Sequence, residues 1–320
     1  METIKINLNN SYLYQKNYEI INTNNIKEVP TVMILHTYYW IKSLFKKNWH
    51  LRFDGEFSYE LIAVLPFAHW LHQNGNHVTI TSAKDTKCLY YFANNHIEEF
   101  TKRRYCRPSG VPIHNIHVRW LNTLMWSPPP LKDVYQNKRF IYKKPIFIIT
   151  NKFNSEWGHN PLTFLSLDFL ETLFKTLSDD YQIIYCRPSN KEVVDDNSDI
   201  FEFKDKELIK EKYPDVLCIE DLHQQNPDLS FNQLQLNVFA NASKFISLIG
   251  GYSLLCSYFK GTNIIYAAKS NIRQAHEIGY KAFDRWYHKF SGSKIIYCDT
   301  YDKILTQLQI KKNIPTKSYS

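Results

Sequence analysis

One stretch of the sequence decides the fold: Ser243-Lys-Phe-Ile-Ser-Leu-Ile-Gly-Gly-Tyr-Ser-Leu-Leu-Cys-Ser-Tyr-Phe259. The run Lys244–Ile249 has the length and apolar character of a buried strand. Gly250 and Gly251 follow, and glycine permits both a positive φ and a close approach of a ligand to the backbone. Tyr252–Phe259 then predicts a helix, whose unpaired N–H groups and positive dipole end face the turn. A strand, a glycine turn and a helix in this order favour the binding of an anion, usually a phosphate.

A second unusual turn, Asp54-Gly-Glu-Phe-Ser-Tyr-Glu60, occupies an equivalent position in the first half of the chain. It follows a predicted strand, Trp49–Phe53, and opens a predicted helix, Ser58–Asn74, which Gly75 ends. The whole chain has only 9 glycines. Two glycine-containing turns at equivalent places are therefore a feature to explain.

Strands and helices alternate along the rest of the chain. The other predicted strands are His77–Ser82, Ile116–Leu121, Pro145–Thr150, Gln182–Cys186, Val216–Ile219, Asn263–Ala267 and Lys294–Cys298. The other predicted helices are Lys87–Phe100, Pro161–Leu177 with Asn160 as its cap, Lys206–Lys212, Phe231–Ala242 and Tyr301–Ile310. This alternation predicts an α/β fold of two Rossmann-like, doubly wound domains that face a cleft, with parallel sheets covered on both faces.

A proline-rich break and a basic, polar run divide the chain into two halves. The 320 residues suit about two domains. We predict an N-terminal extension (1–47), an N-terminal Rossmann-like domain (48–131), a linker (132–144) and a C-terminal Rossmann-like domain (145–320). Ligands of such sheets bind at the carboxyl ends of the strands.

The composition indicates a folded protein with a preference for anionic ligands. The chain is 44% hydrophobic and 15% aromatic, and 39 Lys+Arg against 31 Asp+Glu give a net charge of +8. That charge favours nucleotides, nucleic acid or acidic membranes, although a solvated basic surface explains it equally well. The 6 cysteines form no CxxC pair, which predicts a reducing compartment, here the cytoplasm.

The most apolar early stretch, Thr31–Phe45, is interrupted by His36 and Lys42 and is too short to span a bilayer. Two interpretations remain open for it. It packs on the first domain, or it lies on a membrane surface with Lys46 and Lys47 at its edge. Peripheral membrane contact is therefore among the predicted interactions.

The two turns, each in its own Rossmann-like half, resemble those of GT-B glycosyltransferases. The resemblance extends from Trp49 to Ile310 in organisation. It is sharpest at Phe53-Asp-Gly-Glu-Phe-Ser-Tyr-Glu-Leu-Ile-Ala-Val-Leu-Pro-Phe-Ala68 and Ile249-Gly-Gly-Tyr-Ser253. Both segments are similar to parts of glycosyltransferases that build bacterial or viral surface polysaccharides. The resemblance implies that the first half receives a glycan or glycoconjugate acceptor and that the second holds a nucleotide-diphosphate sugar.

The family places the catalytic base of its inverting members in the loop after the first strand, which here is Asp54–Glu60. Transfer requires the acceptor hydroxyl to lose a proton as it attacks the anomeric carbon. We expect Glu56 to be the base, with Asp54 second, since partial burial raises a carboxylate pKa. The alternative is that these side chains only cap the following helix. His69 is a further alternative base.

The donor is expected to bind in the second half. The backbone N–H groups of Gly251, Tyr252 and Ser253, with the Ser253 hydroxyl, would stabilise the leaving diphosphate, unless the Gly250 turn is merely tight. The other expected donor contacts lie after neighbouring strands: Asn151, Lys152, Arg187 and Glu220. For Lys152 an exposed loop lysine, and for Arg187 a surface salt bridge, are the alternatives.

No metal or cofactor is expected beyond the nucleotide-sugar co-substrate. The pairs His69/His72 and His114/His117 have helical spacing but no third ligand, and no DxD motif is present. Arg103, Arg104 and Arg107 form a basic–aromatic patch that suits nucleic acid or a charged glycan, or is a solvated loop. The expected function is an inverting, metal-independent hexosyl- or pentosyltransferase without nucleic-acid partners. The alternative is a non-catalytic nucleotide- or glycan-binding protein.

Overall fold

The structure is a computed structural model that describes residues 29–104, 111, 125–155, 160–189, 192, 194, 199–268 and 287–309. Its first half contains a parallel sheet of three described strands in the order β1-β2-β3. The elements of this half, in chain order, are α1 (Val29–Phe45), β1 (Asn48–Arg52), α2 (Phe57–Tyr59), a π-helical turn (Glu60–Val64), α3 (Leu65–Gln73), β2 (His77–Ala83), a 3₁₀ turn (Lys87–Tyr90) and β3 (Asn95–Phe100).

The predicted helix Ser58–Asn74 forms, but the π-helical turn Glu60–Val64 interrupts it. A π turn withdraws carbonyl groups from the usual helical hydrogen bonds, so other donors are needed. The hydroxyl of Tyr258 donates to the Leu61 carbonyl at 2.5 Å, and Nε1 of Trp126 donates to the Ile62 carbonyl at 2.7 Å. These side chains from distant parts of the chain thus stabilise the turn.

The prediction of a helix over Lys87–Phe100 is wrong. Only one 3₁₀ turn forms, and Asn95–Phe100 is the strand β3, parallel to β2. Asn94 explains the change, because its Oδ1 accepts the Val78 N–H at 2.9 Å while its own N–H donates to the Val78 carbonyl at 3.0 Å. These two bonds hold the chain beside β2 where the helix was expected to continue.

The second half contains a six-stranded parallel sheet in the order β6-β5-β4-β7-β8-β9. The elements are α4 (Leu131–Tyr135), β4 (Ile146–Thr150), α5 (Leu167–Leu177), β5 (Gln182–Cys186), α6 (Asp205–Lys212), β6 (Leu217–Cys218), α7 (Ile219–Gln225), α8 (Phe231–Ala240), β7 (Lys244–Leu248), α9 (Gly251–Ser257), β8 (Thr262–Tyr266), a 3₁₀ turn (Tyr287–Phe290), β9 (Lys294–Cys298) and α10 (Tyr301–Gln307). Counted within this half, the order is 3-2-1-4-5-6, that of Rossmann-type nucleotide-binding domains.

Two predicted elements of the second half have different limits in the structure. The helix expected from Pro161 begins at Leu167, because the hydroxyl of Ser166 caps it by accepting the Phe169 N–H at 3.3 Å. The strand expected over Val216–Ile219 is reduced to β6, since Ile219 already belongs to α7. The predicted strand Ile116–Leu121 lies outside the described residues.

Two apolar clusters form the core. One lies between the halves and includes Leu61 and Phe67 from the first half and Leu254 and Phe259 from the second. The other covers the opposite face of the second sheet, against α5 and α10. Residues 132–144, predicted as a linker, contain most of α4 and the buried Phe140, which joins the shared cluster. The domain boundaries themselves remain a prediction.

Hydrogen bonds also join the halves. Asp85, in the loop after β2, accepts the Asn232 N–H at 2.7 Å at the start of α8. Its backbone carbonyl accepts from the Asn232 amide, also at 2.7 Å. Nζ of Lys132 donates to the carbonyls of Ala240 and Ala242 at the other end of α8. The helix α8 is therefore bound to the first half at one end and to α4 at the other.

Candidate functional site

The site lies where the strand order of the second sheet reverses. This point is between β4 and β7, whose neighbours continue in opposite directions. In doubly wound sheets a crevice forms there, at the carboxyl ends of the strands. Asn151 and Lys152 follow β4, and Ile249 and Gly250 follow β7. The topology thus brings together two of the segments that the sequence marked for donor binding.

Gly250 has φ +124° and ψ −151°, a backbone conformation that only glycine adopts readily. A Cβ atom added to Gly250 would meet nothing within 4 Å, so the space beside this turn is open. Glycine is needed here for its backbone angles. The open space lies next to the first turn of α9, whose N–H groups have no partner within the helix.

The side chains of this turn are used inside the protein. The Ser253 hydroxyl donates to the Gly250 carbonyl at 2.8 Å and accepts the Gly250 N–H at 3.2 Å. It braces the turn, which departs from its expected role as a donor to the leaving group. The hydroxyl of Tyr252 accepts from Nε2 of Gln235 at 2.9 Å, and burial raises its pKa well above the ordinary value. The backbone N–H groups of Gly251, Tyr252 and Ser253 remain as candidate anion donors.

The two carboxylates of the acidic turn, those of Asp54 and Glu56, have different partners. Asp54 forms an ion pair with Arg104, whose Nε and Nη2 lie 2.6 and 2.5 Å from Oδ2. Glu56 occupies the N-cap position of α2, but its side chain makes no capping hydrogen bond. Its Oε2 accepts instead from the Ser58 hydroxyl at 3.3 Å. The half-buried carboxylate of Glu56 therefore does not cap the helix, in contrast to the alternative interpretation of this residue.

The acidic turn and the glycine turn meet. Phe57 directly follows Glu56, and a Cβ atom on Gly251 would lie 3.0 Å from Cδ1 of its ring. That separation leaves no room for a side chain at Gly251 without movement of the ring. The backbone of the acidic turn is therefore adjacent to the start of α9, across the boundary between the halves.

Asn151 is buried, and its amide is fully used by internal hydrogen bonds. Nδ2 donates to the Leu165 carbonyl at 3.1 Å and to the Tyr185 hydroxyl at 3.0 Å. Oδ1 accepts the N–H groups of Leu165 at 2.9 Å and Lys152 at 3.0 Å. An asparagine amide has two donors and two acceptor sites, so none is left over. Asn151 therefore shapes the loop after β4, and Lys152 beside it is half-buried.

Arg187 follows β5 and forms a salt bridge, but the bridge is buried, whereas the predicted alternative to phosphate binding was one at the surface. Its Nε and Nη2 donate to the two carboxylate oxygens of Asp205 at 2.5 and 2.6 Å. Nη2 also donates to the Phe203 carbonyl at 3.2 Å, and the Tyr185 hydroxyl donates to Asp205 at 2.5 Å. The planar fork expected to grip a phosphate is thus occupied by Asp205.

Glu220 lies in the first turn of α7 and is 5% exposed. Nζ of Lys206 lies 3.2 Å from its Oε1. Among the described residues, neither carboxylate oxygen receives a hydrogen bond of good geometry. Burial raises the pKa of Glu220, and the nearby Lys206 opposes this shift. A buried carboxylate with few donors is suited to accept hydrogen bonds from a ligand.

The alternative base His69 and the pair His69/His72 are less well placed, and the pair His114/His117 lies outside the described residues. His69 is buried in α3, and its Nδ1 lies 2.9 Å from the Ser127 carbonyl. Burial is the main cause that lowers the pKa of His69. The rings of His69 and His72 both pack against Phe92. Within the described part of the chain, no three His, Cys, Asp or Glu side chains are grouped to hold a metal ion.

The position of Arg103 contradicts the predicted basic–aromatic surface patch. It is 5% exposed and pairs with the fully buried Glu60, so it belongs neither to a nucleic-acid surface nor to a solvated loop. Arg104 is exposed and bound to Asp54, and Arg107 lies outside the described residues. Phe57 and Arg103 are the site residues that the sequence did not reveal. The run of aromatic and charged residues around the Gly55 turn was the only available signal.

No protein-family model matches the sequence, and no curated protein matches it either. Three solved structures are similar in fold. The structure of E. coli ADP-heptose LPS heptosyltransferase II has a TM-score of 0.51 at 10% identity, over 82% of this chain and 98% of that one. A glycosyl transferase family 9 protein from Veillonella parvula has a TM-score of 0.47 at 8% identity, over 83% and 90%.

An E. coli heptosyltransferase with ADP has a TM-score of 0.35 at 10% identity, over 78% of this chain and 75% of that one. Only the first of the three exceeds a TM-score of 0.5, and it matches nearly its whole length. It shares with this chain the arrangement predicted from the two turns. The fold of this chain is therefore the GT-B fold, two Rossmann-like α/β halves that face each other.

Proposed function

We propose that this protein is a glycosyltransferase that moves a sugar from a nucleotide-diphosphate donor to a hydroxyl group of a glycan or glycoconjugate. The observation that supports this most is the contact of Phe57 with Gly251, which sets the acidic turn beside the start of α9. Transfer needs a proton acceptor and a site for the leaving diphosphate within one small volume. The two turns are suited to these two tasks.

In the proposed mechanism, Glu56 accepts the proton of the acceptor hydroxyl. The hydroxyl oxygen then attacks the anomeric carbon from the side opposite the diphosphate. The bond from this carbon to the phosphate oxygen breaks, and its electron pair leaves with the diphosphate. Configuration is inverted. The N–H groups at the start of α9 stabilise the charge that builds on the leaving group, without a metal ion.

Glu220 is the proposed contact to the nucleoside. Its carboxylate is buried at the end of β6, and the hydroxyl groups of a ribose would supply the donors that it has few of. Lys152, after β4, is proposed to neutralise a phosphate. Asn151 and Arg187 are proposed to act indirectly, since they order the loops after β4 and β5.

The sugar and the nucleotide are open to direct test. A hexose or pentose is the expectation from the sequence, whereas the similar E. coli structure is named for ADP-heptose. A thermal-shift screen against UDP, GDP, CMP, ADP and dTDP with their sugars, without metal, identifies the donor. Ligand at about 100 times its Kd adds roughly 2.7 kcal/mol of apparent stability.

Release of the nucleoside diphosphate is then measured with glycan acceptors. A shift together with turnover supports the transferase. A shift without turnover on any acceptor favours the alternative, a non-catalytic nucleotide- or glycan-binding protein. No shift with any nucleotide, in a folded sample, contradicts donor binding.

Peripheral contact with an anionic membrane is proposed for α1. One side of this helix packs on the first half, where Tyr39 contacts the ring of Phe67 and Ser43 is buried. Six of the large apolar side chains that the structure describes in this helix are exposed: Ile34, Tyr38, Trp40, Ile41, Leu44 and Phe45. At 100° per residue these lie within an arc of roughly 160°. An exposed apolar face of this kind is typical of an interaction surface.

The positive charge beside this exposed apolar face indicates an anionic partner. The sequence from Val29 to Phe53 contains no acidic residue, and Lys46 and Lys47 directly follow α1. Each lysine near an anionic leaflet contributes about 1 kcal/mol. No helix of the described residues is long and apolar enough to cross a membrane. We therefore propose that α1 lies flat on the surface of a membrane at the cytoplasmic side. The free thiols of the described cysteines fit such a reducing compartment.

Co-sedimentation with vesicles tests this contact. We expect binding to phosphatidylcholine vesicles that contain phosphatidylserine and little binding to phosphatidylcholine alone. Trp40→Ser with Phe45→Ser should abolish binding, whereas Ile141→Ser, at another exposed apolar site, should not. Binding that is unchanged in the double variant, or dimer formation that covers the face, would contradict the proposal.

A further inference from the structure

Beneath the acidic turn, one buried guanidinium joins two points of the chain. Arg103 Nη2 donates to Glu60 Oε2 at 2.6 Å, and Nη1 donates to the Gly55 carbonyl at 2.9 Å. Arg103 is 5% exposed and Glu60 is fully buried. Gly55 directly precedes Glu56, and Glu60 follows it by one helical turn. Arg103 therefore holds both ends of the segment that contains the proposed base.

The same guanidinium also contacts Phe57, the residue at the boundary between the halves. Its Cζ lies 5.2 Å from the centre of the Phe57 ring, which in turn lies against Gly251. The far side of Glu60 is fixed as well, because the Tyr90 hydroxyl donates to its Oε1 at 3.0 Å. Arg103, Glu60 and Tyr90 are buried and joined by hydrogen bonds through Glu60, so their rotamers are few.

We propose that Arg103 is a positioning residue that sets the height and direction of Glu56 relative to the start of α9; this rests on the glycosyltransferase proposed above. A buried ion pair adds little net stability compared with apolar residues of the same volume. What the Arg103–Glu60 pair supplies here is geometry. The planar fork of Arg103 donates to Gly55 and Glu60 from two nitrogens held at a fixed separation, whereas a lysine has one nitrogen on a flexible stem and cannot fix that separation.

Three variants separate positioning from stability. Arg103→Met leaves Glu60 as a buried charge without its partner, so Tm and turnover should both fall. Glu60→Gln with Arg103→Met removes that charge and should recover most of the lost Tm. Turnover should nevertheless stay about tenfold to a hundredfold below wild type, because Gly55 still lacks its donor. Arg103→Lys keeps a cation beside Glu60, so it should lose less Tm than Arg103→Met, and it should lower kcat without changing KM for the donor.

Arg52→Met is the matched control, since Arg52 forms an exposed ion pair with Glu99 in the same half. It should match wild type in both Tm and turnover. Recovery of turnover together with Tm in the double variant would show a merely structural pair and overturn the proposal. So would wild-type kcat in Arg103→Lys.

Amide hydrogen exchange over Gly55–Tyr59 tests the same idea without activity. We expect protection in the wild type and faster exchange in both the double variant and Arg103→Lys. Unchanged exchange in both variants would overturn the positioning role, even in an active enzyme. Absence of transfer by the wild type with every donor would instead contradict the proposed function, and the exchange result would still decide the role of Arg103.

Discussion

Phe57 in the first half lies against Gly251 in the second, so closely that a Cβ atom on Gly251 would be 3.0 Å from the ring carbon Cδ1. The two halves thus touch at the point where the proposed base and the proposed phosphate site converge. Gly250, one residue earlier, borders open space instead. The start of α9 is therefore open on the side of Gly250, while Phe57 closes the other side.

Alanine at the two glycines should act through different causes. Gly251→Ala overpacks the Phe57 contact and should reduce stability by about 1–3 kcal/mol and weaken donor binding. Gly250→Ala meets no atom but is forced into φ +124°, which also costs about 1–3 kcal/mol. Adding Phe57→Leu should rescue Gly251→Ala and leave Gly250→Ala unchanged. Thermal unfolding and donor titration measure both effects, and rescue of both variants alike would contradict this account.

Glu56→Gln should abolish the proposed proton transfer while the donor still binds. Removal of a general base lowers turnover by about 10²- to 10⁴-fold. Asp54→Asn should weaken the ion pair with the exposed Arg104, which is worth at most about 1 kcal/mol, and should keep most of its turnover. Initial rates and donor Kd values are compared for both variants. Wild-type turnover by Glu56→Gln would remove Glu56 from the mechanism.

The buried, ionised carboxylate of Glu220 should lower the folding stability at neutral pH, although it contributes to the proposed ligand binding. Burial raises its pKa from the ordinary value of 4.5. The folded state thus holds the proton more tightly, so the stability from this group is fully present below pH 4.5 and is lost as pH rises through the raised pKa. Glu220→Gln should therefore have a higher Tm than wild type at pH 7, with the difference vanishing near pH 4, and should bind donor more weakly.

Glu171→Gln is the control for that experiment. Glu171 pairs with Lys212 at 3.2 Å, the same separation as Glu220 and Lys206, but both partners are exposed. Its effect should stay below about 1 kcal/mol at every pH. Equal pH profiles for the two variants would argue against burial as the cause of the Glu220 effect.

Tyr258→Phe should destabilise the protein by about 1–3 kcal/mol, because the buried Leu61 carbonyl of the π-helical turn loses its donor. Tyr301→Phe removes a comparable bond, to the Phe164 carbonyl, within the second half alone. Hydrogen exchange over Glu60–Val64 should quicken only in Tyr258→Phe. Identical exchange in both variants would show that the π turn does not depend on the second half.

The sequence predicted the second half well because its strands are short apolar runs with clear ends. Lys244–Ile249, Gln182–Cys186 and Lys294–Cys298 all form strands within a residue or so of their expected limits. The error at Lys87–Phe100 has a different cause. The exposed β3 has no apolar alternation, and its position depends on the bonds of Asn94 to β2, which are long-range contacts.

The site was predictable where backbone geometry decides it and not where side-chain partners do. The Gly250 turn could be identified from a glycine pair between an apolar strand and a helix. The partner of Arg187 could not, because Asp205 lies on another helix and only folding brings the two together. The burial of Arg103 under the acidic turn was hidden for the same reason, since it depends on Glu60, 43 residues earlier.

The bond between Tyr258 and Leu61 joins residues 197 positions apart. During synthesis, the residues of the π-helical turn leave the ribosome well before Tyr258, which supplies the hydroxyl donor, has been added to the chain. At common translation rates this interval is roughly 10 to 40 s. Over that time the apolar face around Leu61 and Phe67 has no Leu254 or Phe259 to cover it. The apolar face of the nascent first half therefore stays exposed until the second half has been synthesised. Exposed apolar surface of this kind favours aggregation, which chaperones prevent.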